Sequence, residues 1–593
     1  MLLYLPKLLC VSALALVLTH VTLCSNPTAH GRMIPWSYDL RSSLHRASWG
    51  RENASARHQE DLDAYILEGR FPKAGRSLEQ KIREANAFLE QQLGNSETAG
   101  VGSSVAIVYQ DQVVLSKGYG LREANDSSSH VTTSTLFQIG SVTKTFIALG
   151  IATLVEEGKV TWRDPVIKHL PTLELFDKYA EKYATIGDLL SMNSGLGELL
   201  DLALVFGRYP SDKDLVAAVR DAEPAHSLRS EYEYSNTNFA ILGQLIESVT
   251  GLEWDEFLKQ RIWEPLGMAR TFASALAVKD DNDTSAGHYS CGGEVLGPYN
   301  LVTSPEAQLV TGQRGEKIAA GSVVSSSDDM AKLLRVLLNK GSVDGVKILK
   351  TPQLVTEMVS GKSIVNAEMT EMFLKGGHHF VPEGNTLAAG YGFDLVSHGL
   401  WGHAYYDKSG DTALHQTRTG FSPDAQLGVI IMANSQLPTP HGNYIMDHVR
   451  SYVMGIFLDV PKDVLDFSFA KWRKDDALQP LLPGIPVCGL SFWKNPKILN
   501  LDQEEADALV GVYVAKESSE FFGSVEITKS TEPKRLELRA GKFSGRLGFV
   551  LDLGSDQGKT FLLNRGANSV LVGISKNANG KYEMNLGILF SQQ

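Results

Sequence analysis

Strand-like segments lie at both ends of a long helical stretch, and this arrangement constrains the fold more than any other feature of the chain. Ser104–Val108 and Val113–Lys117 flank the polar turn Tyr109–Gln112, the pattern of a hairpin. Comparable runs return at Tyr391–Val396, His403–Asp407, Thr412–Arg418 and Leu427–Ala433. Between them helices and loops alternate, beginning with a helical pattern over Ser141–Glu157 that Gly158 ends. An amphipathic helix is expected over Ser77–Leu93, where Leu78, Ile82, Ala85, Leu89 and Leu93 share one face. A sheet completed by segments this distant implies an α+β domain. The expected fold class is therefore α+β, an antiparallel sheet flanked by helices with an all-α subdomain, plus a small C-terminal all-β domain.

The 593 residues leave room for attachments to one large domain. Lys7, the apolar run Leu8–Leu18, and small or weakly polar residues near Thr22, Cys24 and Ser25 follow signal-peptide order, and the run is too short to span a bilayer. Residues 1–24 are thus expected to be a signal peptide, the mature protein secreted and extracellular, with no membrane span left after removal. Residues 25–76 read as a linker or pro-segment, 77–460 as the main domain, and 461–502, with Pro480, Pro483 and Pro486, as a second linker. Residues 503–593 alternate short β-like runs with Gly-containing turns such as Asn579-Gly580 and read as an all-β domain. Cleavage after Cys24 leaves Cys291 and Cys488, enough for one bridge, and whether they pair is open from sequence. Asn53, Asn125 and Asn282 each begin an Asn-x-Ser/Thr acceptor and are expected on the surface of a glycoprotein.

Composition narrows the partners. Hydrophobic residues at 43% and charged residues at 21% argue against wholesale disorder and against a multispan membrane protein. A net charge of -12 argues against a broad basic surface, so nucleic acid is not an expected partner.

Three short motifs occur in one order: Ser141-Val-Thr-Lys144, Tyr234-Ser-Asn236 and Lys408-Ser-Gly410. Ser-x-x-Lys recurs at Ser468–Lys471 and Ser491–Lys494, but only Ser141 follows a run, Phe137–Gly140, that leads into a helix N-terminus and precedes the other two motifs. Residues three apart share a helix face, so Lys144 can reach the Ser141 hydroxyl. That hydroxyl is a poor nucleophile unless a neighbour takes its proton. Lysine serves when burial and a second cation depress its pKa, and Lys408 is the candidate cation. The helix N-terminus offers a backbone N–H and a favourable dipole to an oxyanion, with a second donor expected from a strand edge.

Tyr234 and Asn236 stand two residues apart on a loop before a helix expected over Phe239–Val249, which suits a phenol aimed at the nucleophile and an amide aimed at a substrate carbonyl. Alone, Tyr-Ser-Asn is an ordinary turn and cap. Lys408-Ser-Gly410 lies between strand-like segments; Gly lets a substrate backbone approach and Lys supplies charge for a carboxylate or leaving group, while a plain hairpin turn is the alternative. Ser191-Met-Asn193 imitates the second motif, but its loop Leu189–Leu196 reads as packing and site edge.

Phe137–Lys144, Tyr234–Gly243, Pro423–Asn434 and Ala319–Asp329 together resemble the serine β-lactamase-related family, most closely class C β-lactamases, D-alanyl-D-alanine carboxypeptidases and related esterases, over roughly residues 77–460. The resemblance implies that Ser141 is acylated, Lys144 takes its proton, and Tyr234 is the acid-base for the leaving group and the deacylating water. It implies that Lys408 and Ser409 hold the substrate carboxylate, and that the N–H groups of Ser141 and Asp411, beside Gly410, form the oxyanion hole. Many eukaryotic relatives have His where this chain keeps Lys408. Asp411 departs from the family, which usually has a small or hydroxyl residue there, and a carboxylate at that place would repel an anionic substrate.

Other hydrolase classes fit poorly. No Gly-x-Ser-x-Gly elbow and no His-Glu-x-x-His occurs, and His378, His379 and His403 read as loop or core residues, so neither a metal nor a cofactor is expected. The expected activity is that of a serine hydrolase acting on a small peptide or ester. The alternative is a matrix protein with extracellular matrix partners, since the leader and C-terminal extension resemble secreted shell-matrix members of the gigasin type. Retention of both lysines and the tyrosine favours the enzyme.

Overall fold

A computed structural model describes residues 72–93, 100–291, 294–304, 307, 317–366, 370, 387–436, 444–475, 499–531, 535–552, 558–565 and 568–593. Residues 1–24, expected to be a signal peptide, Asn53, His378, His379, Cys488, Ser491–Lys494 and the prolines 480, 483 and 486 lie outside the described residues, as does the side chain of Cys291.

The main domain is built on eight strands. In chain order they are β1 (Gly102–Tyr109), β2 (Gln112–Gly120), β3 (Ser363–Ile364), β4 (Ala388–Gly390), β5 (Phe393–Leu400), β6 (His403–Asp411), β7 (Gln416–Ser422) and β8 (Leu427–Ala433). They pair antiparallel in the order β3-β4-β5-β6-β7-β8-β1-β2, so the N-terminal hairpin closes onto the last strand. The junction is β1 against β8, with Ser103 opposite Ala433 and Tyr109 opposite Leu427. β8 is buried throughout and β1 in all but Tyr109, and both are predominantly apolar, as strands covered on two faces must be.

Helices cover both faces. Phe421 of β7 stands opposite Gly428 of β8, and Gly420 opposite Val429, so the two glycines open opposite faces. A Cβ on Gly428 would meet Leu334 and Leu338 of the helix Ser327–Leu338, whereas one on Gly420 would meet Arg450 of the helix Ile445–Phe457. Arg450 is wholly buried and lies 3.0 Å from Asp447 and 3.3 Å from Asp407, which settles its charge in the core. The helix Leu78–Leu93 buries Ala85, Leu89 and Leu93 on one stripe.

Four readings need correction. The strand expected at Thr412–Arg418 begins at Gln416, because the Thr412 hydroxyl accepts from the N–H groups of Leu414 and His415 and folds that segment into a turn. Lys408-Ser-Gly410 lies inside β6 and not in a turn. The segment read as a second linker opens with a helix, Lys462–Asp475, seated by Val464 and Leu465 in the core. Residues 73–76, read as linker, dock on the chain after Phe457: Arg76 donates to the Val460 carbonyl at 2.7 Å, and its N–H bonds Asp459.

At the C-terminus eight strands close into a barrel from Gly511–Ala515 to Leu589–Gln592. It docks on residues 199–223. Tyr209 donates to the Phe521 carbonyl at 2.8 Å, Arg208 to the Glu520 carbonyl at 2.9 Å, and the Lys542 N–H to the Phe206 carbonyl at 2.9 Å. A Cβ on Gly541 would lie 2.4 Å from that Phe206 oxygen, so the contact depends on a bare backbone.

Candidate active site

Ser141 is delivered by a short strand and a tight entry into a helix. Phe137–Gln138 pairs with Val324–Ser325, Ile139 bonds the Val323 carbonyl, and one 3-10 turn over Gly140–Val142 runs into the helix Thr143–Glu156. His415 fixes the approach: its Nδ1 accepts the Gln138 N–H at 2.9 Å, and burial pushes the ring down to about 3, holding it neutral. Ser141 stays partly exposed while Lys144, one turn on, is wholly buried. The pair is thus open to substrate on the hydroxyl side only.

The surroundings of Lys144 set the direction in which its pKa moves. Its Nζ lies 2.9 Å from Ser141 Oγ, 2.6 Å from Asn236 Oδ1 and 2.7 Å from the Ala320 carbonyl. An ammonium can donate to all three, and a neutral amine can donate to the two carbonyl oxygens and offer its lone pair to the serine hydroxyl, so the shell serves both states of a proton acceptor. Burial lowers the Lys144 pKa well below the usual lysine value, and the charge of Lys408 lowers it further, against the opposing pull of Asp394, Asp201 and Glu198. The sequence expectation for Lys408 as the depressing cation agrees with this ordering, although burial is the larger cause.

Asn236 cannot turn round. Its Nδ2 donates to Asp201 Oδ2 at 2.6 Å, which leaves Oδ1 facing Lys144. The amide read as a substrate ligand is therefore spent on the lysine through Oδ1 and on Asp201 through Nδ2. Asn236 is the first residue of the helix Asn236–Thr250, which Ser235 caps, so the helix starts earlier than the expected Phe239. Tyr234, just before the cap, brings its hydroxyl 2.6 Å from Ser141 Oγ. Burial, and next the charge of Asp394, hold that phenol well above its usual pKa, so it is a protonated donor at neutral pH. The loop Leu189–Leu196 supports this one from behind: Met192 accepts the Glu233 N–H through its carbonyl, and Ser194 donates to Asn238.

The strand edge comes from β6. Pairing with β5 ends at Leu395 opposite Asp407, so Ser409, Gly410 and Asp411 run on without that neighbour. Gly140, with φ +54, and Gly410 let this edge touch the nucleophile turn. A Cβ on Gly410 would stand 2.0 Å from the Ile139 carbonyl and 2.8 Å from the Ser141 nitrogen; one on Gly140 would stand 2.8 Å from the Asp411 nitrogen. The backbone of Gly410–Asp411 is therefore packed directly against that of Gly140–Ser141. Ser409 is partly exposed beside them.

Two expected charges are already paired. Lys408 is 1% exposed and gives its ammonium to both oxygens of Asp394, at 2.5 and 2.7 Å. Asp411 lies 3.1 Å from Arg418, which also holds Asp447 at 2.7 Å, so its carboxylate is compensated and does not stand alone against a substrate. Among the other candidates, Asn125 and Asn282 are exposed in turns, and His403 pairs with Asp424 at 3.0 Å. Ser468 is buried within the helix Lys462–Asp475.

Comparison with known proteins now bears on the whole arrangement. The family model described as Beta-lactamase matches residues 78–453. The chain belongs to the beta-lactamase family. Protein flp of Staphylococcus aureus (strain MRSA252) is 26% identical over 287 residues, 48% of this chain and 55% of that protein. Unguisins hydrolase ungD' of Aspergillus campestris is 32% identical over 248 residues, 40% of this chain and 44% of that protein. This family member thus spans about half the length of the curated relatives it matches. The octameric penicillin-binding protein homologue from Pyrococcus abyssi shares the fold with TM-score 0.50 at 20% identity, covering 87% of this chain and 99% of that one. That share is larger than residues 78–453 alone provide, so the likeness in fold extends beyond the family match.

Sequence reasoning missed Asp201, Asp394, Arg418 and the Ala320 carbonyl. Asp201 had one signal, a lone carboxylate within Leu199–Leu204, an otherwise apolar run. Asp394 had none, since only the register of β5 against β6 sets it across from Lys408.

Proposed function

We propose that this beta-lactamase family member is a secreted serine hydrolase that cleaves amides or esters through an acyl-enzyme on Ser141. The observation that carries the reading is the Lys144 shell: two neutral acceptors and the serine hydroxyl around a buried amine whose pKa is lowered. Ser141 Oγ attacks the carbonyl carbon as its proton passes to the Lys144 lone pair. The oxyanion is met by the N–H groups of Ser141 and Asp411, and the Tyr234 hydroxyl hands a proton to the leaving nitrogen or oxygen. Lys144 resupplies Tyr234. Water then enters by the reverse path: Tyr234 passes its own proton to Lys144 as it takes one from the attacking water, and Lys144 returns that proton to Ser141 Oγ as the acid leaves. Secretion is supported by the order of residues 1–24, and hydrolysis by the hydrolase named among the relatives.

The test is intact-mass analysis after exposure to a fluorophosphonate. One adduct on the native chain, absent in a folded Ser141→Ala variant, is the expected result. A native chain that stays unmodified, or a variant still labelled at the same rate, would overturn the reading and favour a matrix role for the fold.

A further inference from the structure

The third motif sets a lysine beside the nucleophile, yet this lysine arrives already neutralised. Register explains why. Leu395 stands opposite Asp407, so the next residues outward, Asp394 and Lys408, face each other across the same two strands. Both carboxylate oxygens then reach the ammonium, and Lys408 Nζ lies 5.1 Å from the centre of the Tyr234 ring, within the site itself. The lysine is 1% exposed. Its charge is therefore cancelled where substrate would read it.

The next charge along the edge is cancelled too. Arg418 is buried and divides its guanidinium among Asp411 at 3.1 Å, Asp447 at 2.7 Å and the Thr417 carbonyl at 3.2 Å. A substrate carboxylate brought to Lys408 would have to share one ammonium with Asp394, two like charges within a few ångströms of each other in a poorly solvated place. The geometry offers instead a polar surface of no net charge: the Ser409 hydroxyl, the open backbone of Ser409–Asp411 and a bound ion pair.

We propose that Asp394 fixes the substrate class of this site, by occupying Lys408 and so favouring esters and amides flanked by uncharged groups over substrates that carry a carboxylate beside the scissile bond. The inference rests on Ser141 being the acylated nucleophile. It assigns Asp394 a specificity role; its charge also raises the pKa of Lys144 and of Tyr234, an effect that falls on charged and uncharged substrates alike and so cancels in their ratio. A bidentate ion pair can also be only a structural clasp, and a clasp would alter all substrates alike.

The experiment compares paired substrates that differ in one charge: a short peptide ending in D-alanyl-D-alanine with a free carboxylate against the same peptide as its C-terminal amide, and nitrocefin against its own carboxylate methyl ester. The native chain is expected to prefer the uncharged member of each pair in kcat/KM by about tenfold or more, the scale of mispaired interfacial charge. Asp394→Asn, which keeps shape and hydrogen-bonding atoms, is expected to lower or reverse that ratio, and Asp394→Ala to do the same, with thermal melts confirming that each folds. A native preference for the carboxylate member, or ratios unmoved in a folded variant, would overturn the proposal. Loss of all Ser141-dependent turnover in the native chain is a separate result, since it would sink the hydrolase reading and not merely the choice of substrate.

Discussion

The floor of the site around Lys144 and the strand edge around Lys408 hold the same side chain in opposite circumstances. Lys144 touches only neutral partners, the Asn236 amide oxygen, the Ala320 carbonyl and the Ser141 hydroxyl, and burial lowers its pKa well below the usual lysine value. Lys408 is buried to almost the same degree, but a carboxylate grips it with both oxygens. Burial alone therefore does not choose the role of a lysine; the charge of its nearest partner does. One residue is left with a lone pair for chemistry, and the other with a charge it cannot spend.

That contrast can be broken at either end. The largest effect is expected from Lys144→Met, which keeps the packing and removes the lone pair: kcat/KM should fall by about 10³-fold, in the range of general-base losses. A folded variant that keeps near-native turnover would show that the base lies elsewhere. Next, Gly410→Ala drives a methyl to 2.0 Å from the Ile139 carbonyl and parts the strand edge from the nucleophile turn. A fall of about 10²-fold in kcat is expected, the size of losing one oxyanion donor, with little change in KM. A rise in KM with kcat intact would place the edge in binding and not in transition-state stabilisation.

The smallest effect sharpens the account of Lys144 itself. Because its pKa is lowered, the neutral base is present at lower pH than in free lysine, so turnover should rise with pH along one acid limb and level off well before 10.5. Asp201 pulls the other way, favouring the ammonium. Asp201→Asn still accepts from Asn236 but carries no charge, so the acid limb should move to lower pH with only a few-fold change in the plateau. A pH–rate profile in which the limb stays put or moves up would mean that Asp201 acts on Lys144 by position alone.

Much of the fold was legible because local patterns and tertiary demands agree. Leu427–Ala433 forms a strand with the expected bounds, and the Tyr109–Gln112 turn joins the expected hairpin. Agreement failed where a polar side chain reorganised its own backbone, as Thr412 does, or where a helix such as Lys462–Asp475 gains its stability from a neighbour and not from its sequence. The same division holds in the site. Ser141, Lys144 and Tyr234 converge as expected, since spacing on a helix and order along the chain carry that information. Asn236 joins them in a different role, because its amide has only so many atoms and Asp201 takes the nitrogen.

By itself, then, the sequence determined which groups are candidates for the site: a serine and a lysine one helical turn apart, a tyrosine ahead of a capped helix, and a lysine on a late strand. Tertiary structure decided what each of them is able to do. Protonation and charge depend on partners a few ångströms away, and those partners come from segments that chain order leaves unrelated: Asp201 from a leucine-rich run, Ala320 from a loop, and Asp394 from one register of one strand pair. Electrostatic energy follows distance in space, and only the folded chain fixes that distance.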